Sequence, residues 1–288
     1  MATLTAPPDK TTELLSPETI EFYRDAMTAL DEAGVPFLVG GAYAYARYTG
    51  IARHTKDFDV FVRPGDFDRA LDAFARQGWE TRRTFSHWLG KGLKGDDFVD
   101  VIFSSGNGVA RVDDLWFRHA VDEVVLERPA KLAPAEEMIW SKSFIMERER
   151  FDGADVSHLL HCRAGDLDWD RLLLRFDRHG GWRVLMAHLV LFGYIYPGDA
   201  HLIPNRIIEA LNDRLRRETE HPPAPEAEKV CRGTILSRSQ YLVDTHLWDY
   251  QDARVQPYGA MTPKEVEAWT LAAEDDGDVT QLEMLEEG

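Results

Sequence analysis

Three aspartates and two adjacent glycines are the residues most able to do chemistry here. In Lys56-Asp57-Phe58-Asp59-Val60-Phe61-Val62, alternation along a strand sets Asp57 and Asp59 on one face and Phe58, Val60 and Val62 on the other. Two carboxylates side by side repel each other and resist burial. A divalent cation relieves that, and Mg²⁺ is commonly shared between carboxylates and substrate phosphates. The plain alternative is a solvated face of an edge strand. A third acid, Asp100, sits inside the apolar run Phe98-Val99-Asp100-Val101-Ile102-Phe103. It is costly there unless compensated. On a strand neighbouring Asp57 and Asp59 it would complete a three-carboxylate metal site; otherwise it is an edge aspartate bonded to a loop. Asp96 and Asp97 fall in an expected turn. Upstream, Phe37-Leu38-Val39 runs into Gly40-Gly41. This reads as a buried strand, then a glycine-rich entrance to a helix over 42–48. Backbone N–H groups at such an entrance bind phosphate oxygens. Many double glycines are only tight turns.

The elements that must position these residues follow from pattern. Ser16-Pro17-Glu18 caps a helix running to about Ala33, with Ile20, Tyr23, Met27 and Leu30 on one face and Gly34 at its end. Pro64 starts a helix burying Phe67, Leu71 and Phe74 that ends near Gly78. Residues 79–85 read as a strand, 90–97 as a glycine- and lysine-rich turn, and 121–126 as another strand. Pro129, Pro134 and Glu136-Glu137 introduce a helix expected to reach about Arg150. On it Lys142 shares a face with Met138 and Ile145, so it either snorkels or reaches into a site. Arg47 and Arg53 flank the glycines and aspartates, and guanidinium suits phosphate, although plain surface arginines look the same.

The order of these motifs resembles the DNA polymerase beta superfamily of nucleotidyltransferases. VGGAYAYARYTG followed by RHTKDFDVFV is most similar to its small bacterial branch, which includes abortive-infection-type and minimal nucleotidyltransferases and, more remotely, aminoglycoside nucleotidyltransferases. The resemblance covers about residues 20 to 150. It implies an α/β nucleotidyltransferase fold with a mixed sheet flanked by helices. It implies that Gly40 and Gly41 hold the triphosphate and that a lysine such as Lys142 reaches it, with Arg47 and Arg53 as further candidates from their position. Asp57 and Asp59 would bind two Mg²⁺ ions, and Asp100 would ligate the second and help activate the attacking hydroxyl. ATP would be the expected nucleoside triphosphate. Many family members have Gly-Ser where this chain has Gly40-Gly41, so only backbone is offered at that point.

The remainder reads as a flexible lead-in over 1–15, a nucleotidyltransferase domain over 16–150, a helical region over 151–220, and a linker, mixed segment and acidic tail over 221–288. Helices are expected over 151–162, 169–176, 182–196 and 204–217, with 182–196 apolar enough to form the core of the helical region. Asp155, His158, His161 and Cys162 share a helical face, which could bind zinc or could simply carry an Asp–His bond to a neighbouring helix.

Composition sets outer limits. The 288 residues carry 33 basic and 50 acidic side chains, a net charge of −17, which argues against extended nucleic-acid binding and a processive polymerase. The hydroxyl acceptor could be a protein, a tRNA end or a small molecule. Two cysteines give no disulfide framework, no secretory signal is apparent, and no apolar run is long enough to span a bilayer, so a cytoplasmic setting is expected. Two other classes compete: a catalytically silent nucleotide- or partner-binding module on the same fold, as in a toxin–antitoxin or defence component, and a metal-dependent hydrolase, which lacks an obvious general base.

Overall fold

A computed structural model describes residues 15–52, 57–222 and 229–275. The chain divides into two compact units, one of residues 1–106 and 110–138, the other of 107–109 and 139–288.

The first unit is built on a seven-stranded mixed sheet. Its elements in chain order are α1 (Pro17–Glu32), β1 (Leu38–Val39), α2 (Gly41–Thr49), β2 (Asp57–Phe61), α3 (Phe67–Arg76), β3 (Glu80–Phe85), β4 (Leu89–Lys94), β5 (Asp97–Ile102), α4 (Asp114–Arg118), β6 (Val121–Val125), β7 (Arg128–Leu132) and the start of α5 (Ala135–Ser143). The strand order is β3-β4-β5-β2-β1-β7-β6. The pairs β2·β5 and β1·β7 are parallel, and β1·β2, β3·β4, β4·β5 and β6·β7 antiparallel. The expected mixed sheet flanked by helices is therefore present.

Helix α1 begins as its sequence prescribes: the Ser16 hydroxyl accepts from the Thr19 N–H, and Pro17 occupies the first turn. Its buried stripe of Phe22, Tyr23, Ala26, Met27 and Leu30 packs on the sheet. Tyr23 stacks on Phe58 of β2 with ring centroids 4.7 Å apart, and both side chains are fully buried. Such burial contributes about 2–3 kcal/mol per ring. Phe67 and Phe74 of α3 press against Gly90 and Gly92, where a Cβ would lie only 2.7 and 2.5 Å from their rings. That close approach corrects the expectation of a turn over 90–97. Gly90 and Gly92 are strand residues whose missing side chains admit the phenyl rings, and the turn is confined to Gly95 and Asp96.

Two more expectations change. Strand β7 was hidden by Pro129, which is tolerated because β1 meets β7 only at Leu132. Helix α5 stops at Ser143 rather than near Arg150. The next residues form a tight loop, with Glu147 and Arg150 joined through backbone and Met146 bridging to Phe151.

The second unit is mainly helical: the rest of α5, then α6 (Gly153–Arg163), α7 (Trp169–Arg175), α8 (Trp182–Ile195), α9 (Asn205–Glu220), α10 (Gly233–Leu236), α11 (Leu242–His246) and α12 (Pro263–Asp275). A short parallel pair, β8 (Val230–Cys231) and β9 (Gln251–Asp252), joins them. Helix α8 buries Trp182, Leu185, His188, Leu189 and Phe192, but leaves Val190 and Tyr194 exposed, so it is one-sided rather than wholly core. No helix among the described residues is long and apolar enough to cross a membrane.

Candidate active site

The site is made by register. Strands β2 and β5 pair so that Asp59 lies directly opposite Asp100, with Asp57 one step along the same face of β2. The opposite face, Phe58, Val60, Val99 and Val101, is fully buried. The expected split of polar and apolar faces on β2 is observed as exposed Asp57, half-buried Asp59, and buried Phe58 and Val60. Asp97, expected in the turn, opens β5, and its carboxylate accepts from the Thr19 hydroxyl at 2.9 Å.

The glycine pair comes against the same carboxylates. Gly40 donates its N–H to the Asp59 carbonyl at 3.0 Å and accepts at its own carbonyl from Ala44, so it ties β2 to the start of α2. Its N–H is therefore occupied, and the donors left for an anion are those of the first turn of α2. A Cβ on Gly40 would land 2.1 Å from the Phe61 ring. Phe61 in turn stacks on the buried Trp116 of α4 at 5.1 Å. Gly41 has φ +51°, and a Cβ there would lie 1.7 Å from Asp59 Oδ2. Only glycine lets the turn and the carboxylate stand this close.

Electrostatics mark Asp100 as the unusual member. Burial pushes its carboxyl above the ordinary carboxylate range; Lys91 pulls it back, and the charge on Asp57 adds to the rise. Lys91 Nζ lies 2.7 Å from Asp100 Oδ1 and forms an ion pair with it. The Tyr23 hydroxyl is also pushed upward, first by burial and then by Asp97, Asp57, Asp59 and Asp100.

The structure thus brings Gly40, Gly41, Asp57, Asp59 and Asp100 together. It places the other candidates differently. Arg47, at the end of α2, is bound to Glu123 of β6. Arg53 lies outside the described residues. Lys142 belongs to the second unit, where its ammonium bonds Asp152 at 2.9 Å and Asp155 at 2.7 Å. Asp155 is thereby engaged by Lys142. His161 instead pairs with Asp199 at 2.7 Å, the Asp–His contact expected for that helix face. Lys91 is the site residue that the pattern did not reveal. Its signal was the alternation Gly90-Lys91-Gly92-Leu93, once those glycines are seen as strand positions.

As a donor set, three carboxylates with backbone N–H groups beside them suit a hard divalent cation and a phosphate ester. The Gly41–Asp59 approach is the observation that fits this chemistry. Among the described residues, however, no group of three or more His, Cys, Asp or Glu side chains is placed so that it could hold a metal ion.

No protein-family model matches the sequence, and no curated protein does so either. Solved structures that it resembles include the antibiotic-resistance factor ANT(2'')-Ia, at 13% identity and a TM-score of 0.41 over 62% of this chain and 99% of that one. Another is an antigenic nucleotidyltransferase-like protein from Paracoccidioides brasiliensis, at 12% identity and 0.42 over 65% and 93%. A third is the lincosamide antibiotic adenylyltransferase LnuA with lincomycin bound, at 11% identity and 0.36 over 50% and 96%. Likenesses of this size carry no inference about activity.

Proposed function

We propose that the protein is a nucleotidyltransferase that moves a nucleoside monophosphate, AMP by preference, from the triphosphate to a hydroxyl acceptor and releases pyrophosphate. The observation that carries the reading is the cross-strand pairing of Asp59 with Asp100, with Asp59 Oδ2 seated against Gly41. The first-turn N–H groups of α2 would bind phosphate oxygens and orient the chain of phosphates along the sheet. Asp57, Asp59 and Asp100 would hold Mg²⁺, which when bound offsets the charge of the phosphates and of the leaving pyrophosphate. Asp100, half-buried and with its carboxyl pushed upward by burial, would take the proton of the acceptor hydroxyl as its oxygen bonds to the α-phosphorus and the bond to the β-phosphate oxygen breaks. Arg47 is committed to Glu123 and Lys142 to Asp152 and Asp155, so either would have to leave a carboxylate to reach a phosphate.

A second reading has its own observation. Lys91 already neutralises Asp100, which is what a catalytically silent nucleotide-binding module would show. ATP labelled at the α- or the γ-phosphorus separates the two. Incubation with Mg²⁺ and, separately, protein, tRNA and hydroxylated small molecules should transfer the α label only. Binding without transfer to any pool supports the silent module. Release of γ label as inorganic phosphate would point to hydrolysis instead.

A further inference from the structure

A row of charged side chains crosses one level of the sheet. Register pairs Arg82 of β3 with Lys91 of β4, Lys91 with Asp100 of β5, and Asp100 with Asp59 of β2. Directly paired residues project to the same face. Lys91 therefore stands on the carboxylate side, while its neighbours Gly90 and Gly92 face the phenyl rings of α3. Arg82 is drawn off to Glu80 at 2.9 Å, which leaves Lys91 as the cation nearest Asp100 in the row. The Lys91 ammonium also sits 3.9 Å from the centre of the Phe98 ring. Side-chain exposures of 23% for Lys91 and 14% for Asp100 mean that water screens the pair only in part.

We propose that Lys91 is a resident counter-ion that competes with the divalent cation for Asp100, so that the cation binds tightly only in company with a nucleoside triphosphate. The inference rests on the metal reading of the site given above. Three carboxylates gathered without a cation would repel one another, and one internal ammonium removes part of that cost. Lysine suits the task because it is a point charge on a flexible stem and can move away. An incoming triphosphate gives the displaced ammonium another anion to face. The cation then takes Asp100 at no loss of charge balance.

The test is a titration of Mn²⁺ into the nucleotide-free full chain, with free Mn²⁺ read by its paramagnetic resonance signal. Wild type, Lys91→Met and Lys91→Arg are compared, with circular dichroism confirming the fold and Lys91→Gln as a second neutral variant. Removing a unit charge this close to a ligand oxygen should tighten Mn²⁺ binding at least about tenfold. Lys91→Arg should remain weak like wild type. Adding an ATP analogue with a methylene between the α- and β-phosphorus should bring wild type to within about threefold of Lys91→Met. Equal affinities of wild type and the neutral variants without nucleotide would overturn the role of Lys91 and leave the metal reading intact. No Mn²⁺ bound by any variant, with or without the analogue, would overturn both.

Discussion

Replacing Gly41 by alanine tests the contact on which the site is built. Gly41 has φ +51° and Gly78, just past the end of α3, has φ +78°. Alanine at either position must hold a left-handed backbone, at about 1–2 kcal/mol. The two differ in surroundings. Nothing lies within 4 Å of a Cβ at Gly78, whereas a Cβ at Gly41 meets Asp59 Oδ2 at 1.7 Å, Cγ at 2.7 Å and Cβ at 3.1 Å. The Asp59 side chain must rotate off its rotamer or the turn must shift, adding about 0.5–1.5 kcal/mol. Gly41→Ala should therefore melt about 1–6 °C below Gly78→Ala, since each kcal/mol moves the midpoint of a chain of this size by about 2–4 °C. The two variants, followed by tryptophan fluorescence on heating, cancel the shared backbone strain. Mg²⁺-ATP titration supplies a second readout: Gly41→Ala should bind at least about tenfold more weakly because Asp59 is displaced, and Gly78→Ala should bind as wild type does. Equal melting points and equal affinities would refute the idea that Gly41 is glycine for the sake of Asp59.

Three further outcomes are expected. Lys142→Met removes the ammonium shared by the buried carboxylates of Asp155 and Asp152, of which Asp152 keeps the Arg150 guanidinium at 3.1 and 3.2 Å. It should cost about 3 kcal/mol or more in urea denaturation, and an unchanged midpoint would show the pairing to be idle. His188 is buried, with Nε2 donating to the Ser143 carbonyl at 2.9 Å and no partner at Nδ1, and burial holds its pKa below the ordinary 6.5. The folded state stays neutral while the unfolded chain takes up a proton, so stability should fall as pH drops below about 6.5 and be unaffected above it. His188→Leu should flatten that part of the pH–stability curve, and an identical slope in the variant would sink the assignment. Phe61→Ala removes the ring that abuts Gly40 and stacks on Trp116. Because Phe61 is half-buried, it should lower stability by about 2–3 kcal/mol, read by chemical denaturation, with a loss below about 1 kcal/mol counting against a packed support for the turn.

What the sequence discloses and what it hides divide along physical lines. Helix α1 and strand β2 were legible because their signals are local: a capping serine with proline, and strict alternation of Asp57, Phe58, Asp59 and Val60. Strand β4 was not, since Gly90 and Gly92 are there to admit Phe67 and Phe74, partners far away in sequence. With β4 unread, Lys91 could not be placed beside Asp100. Pro129 masked β7 because its tolerance depends on how short β1 is. The overrun of α5 reflects a run of good helix formers, Met138 to Arg150, that the loop around Glu147 and Arg150 overrides. The three aspartates could be proposed together from order alone, but only the register of β2 on β5 sets Asp59 against Asp100.

The central claim is that Asp59, held against Gly41 and paired with Asp100, binds a metal–nucleotide complex. Calorimetric titration of ATP with Mg²⁺ into wild type and Asp59→Asn tests it most directly, with the same titration in chelator as reference. The account predicts binding by wild type that needs Mg²⁺ and is lost, or weakened at least about a hundredfold, in Asp59→Asn. Equal binding by the two proteins, or binding by wild type that ignores Mg²⁺, would contradict it.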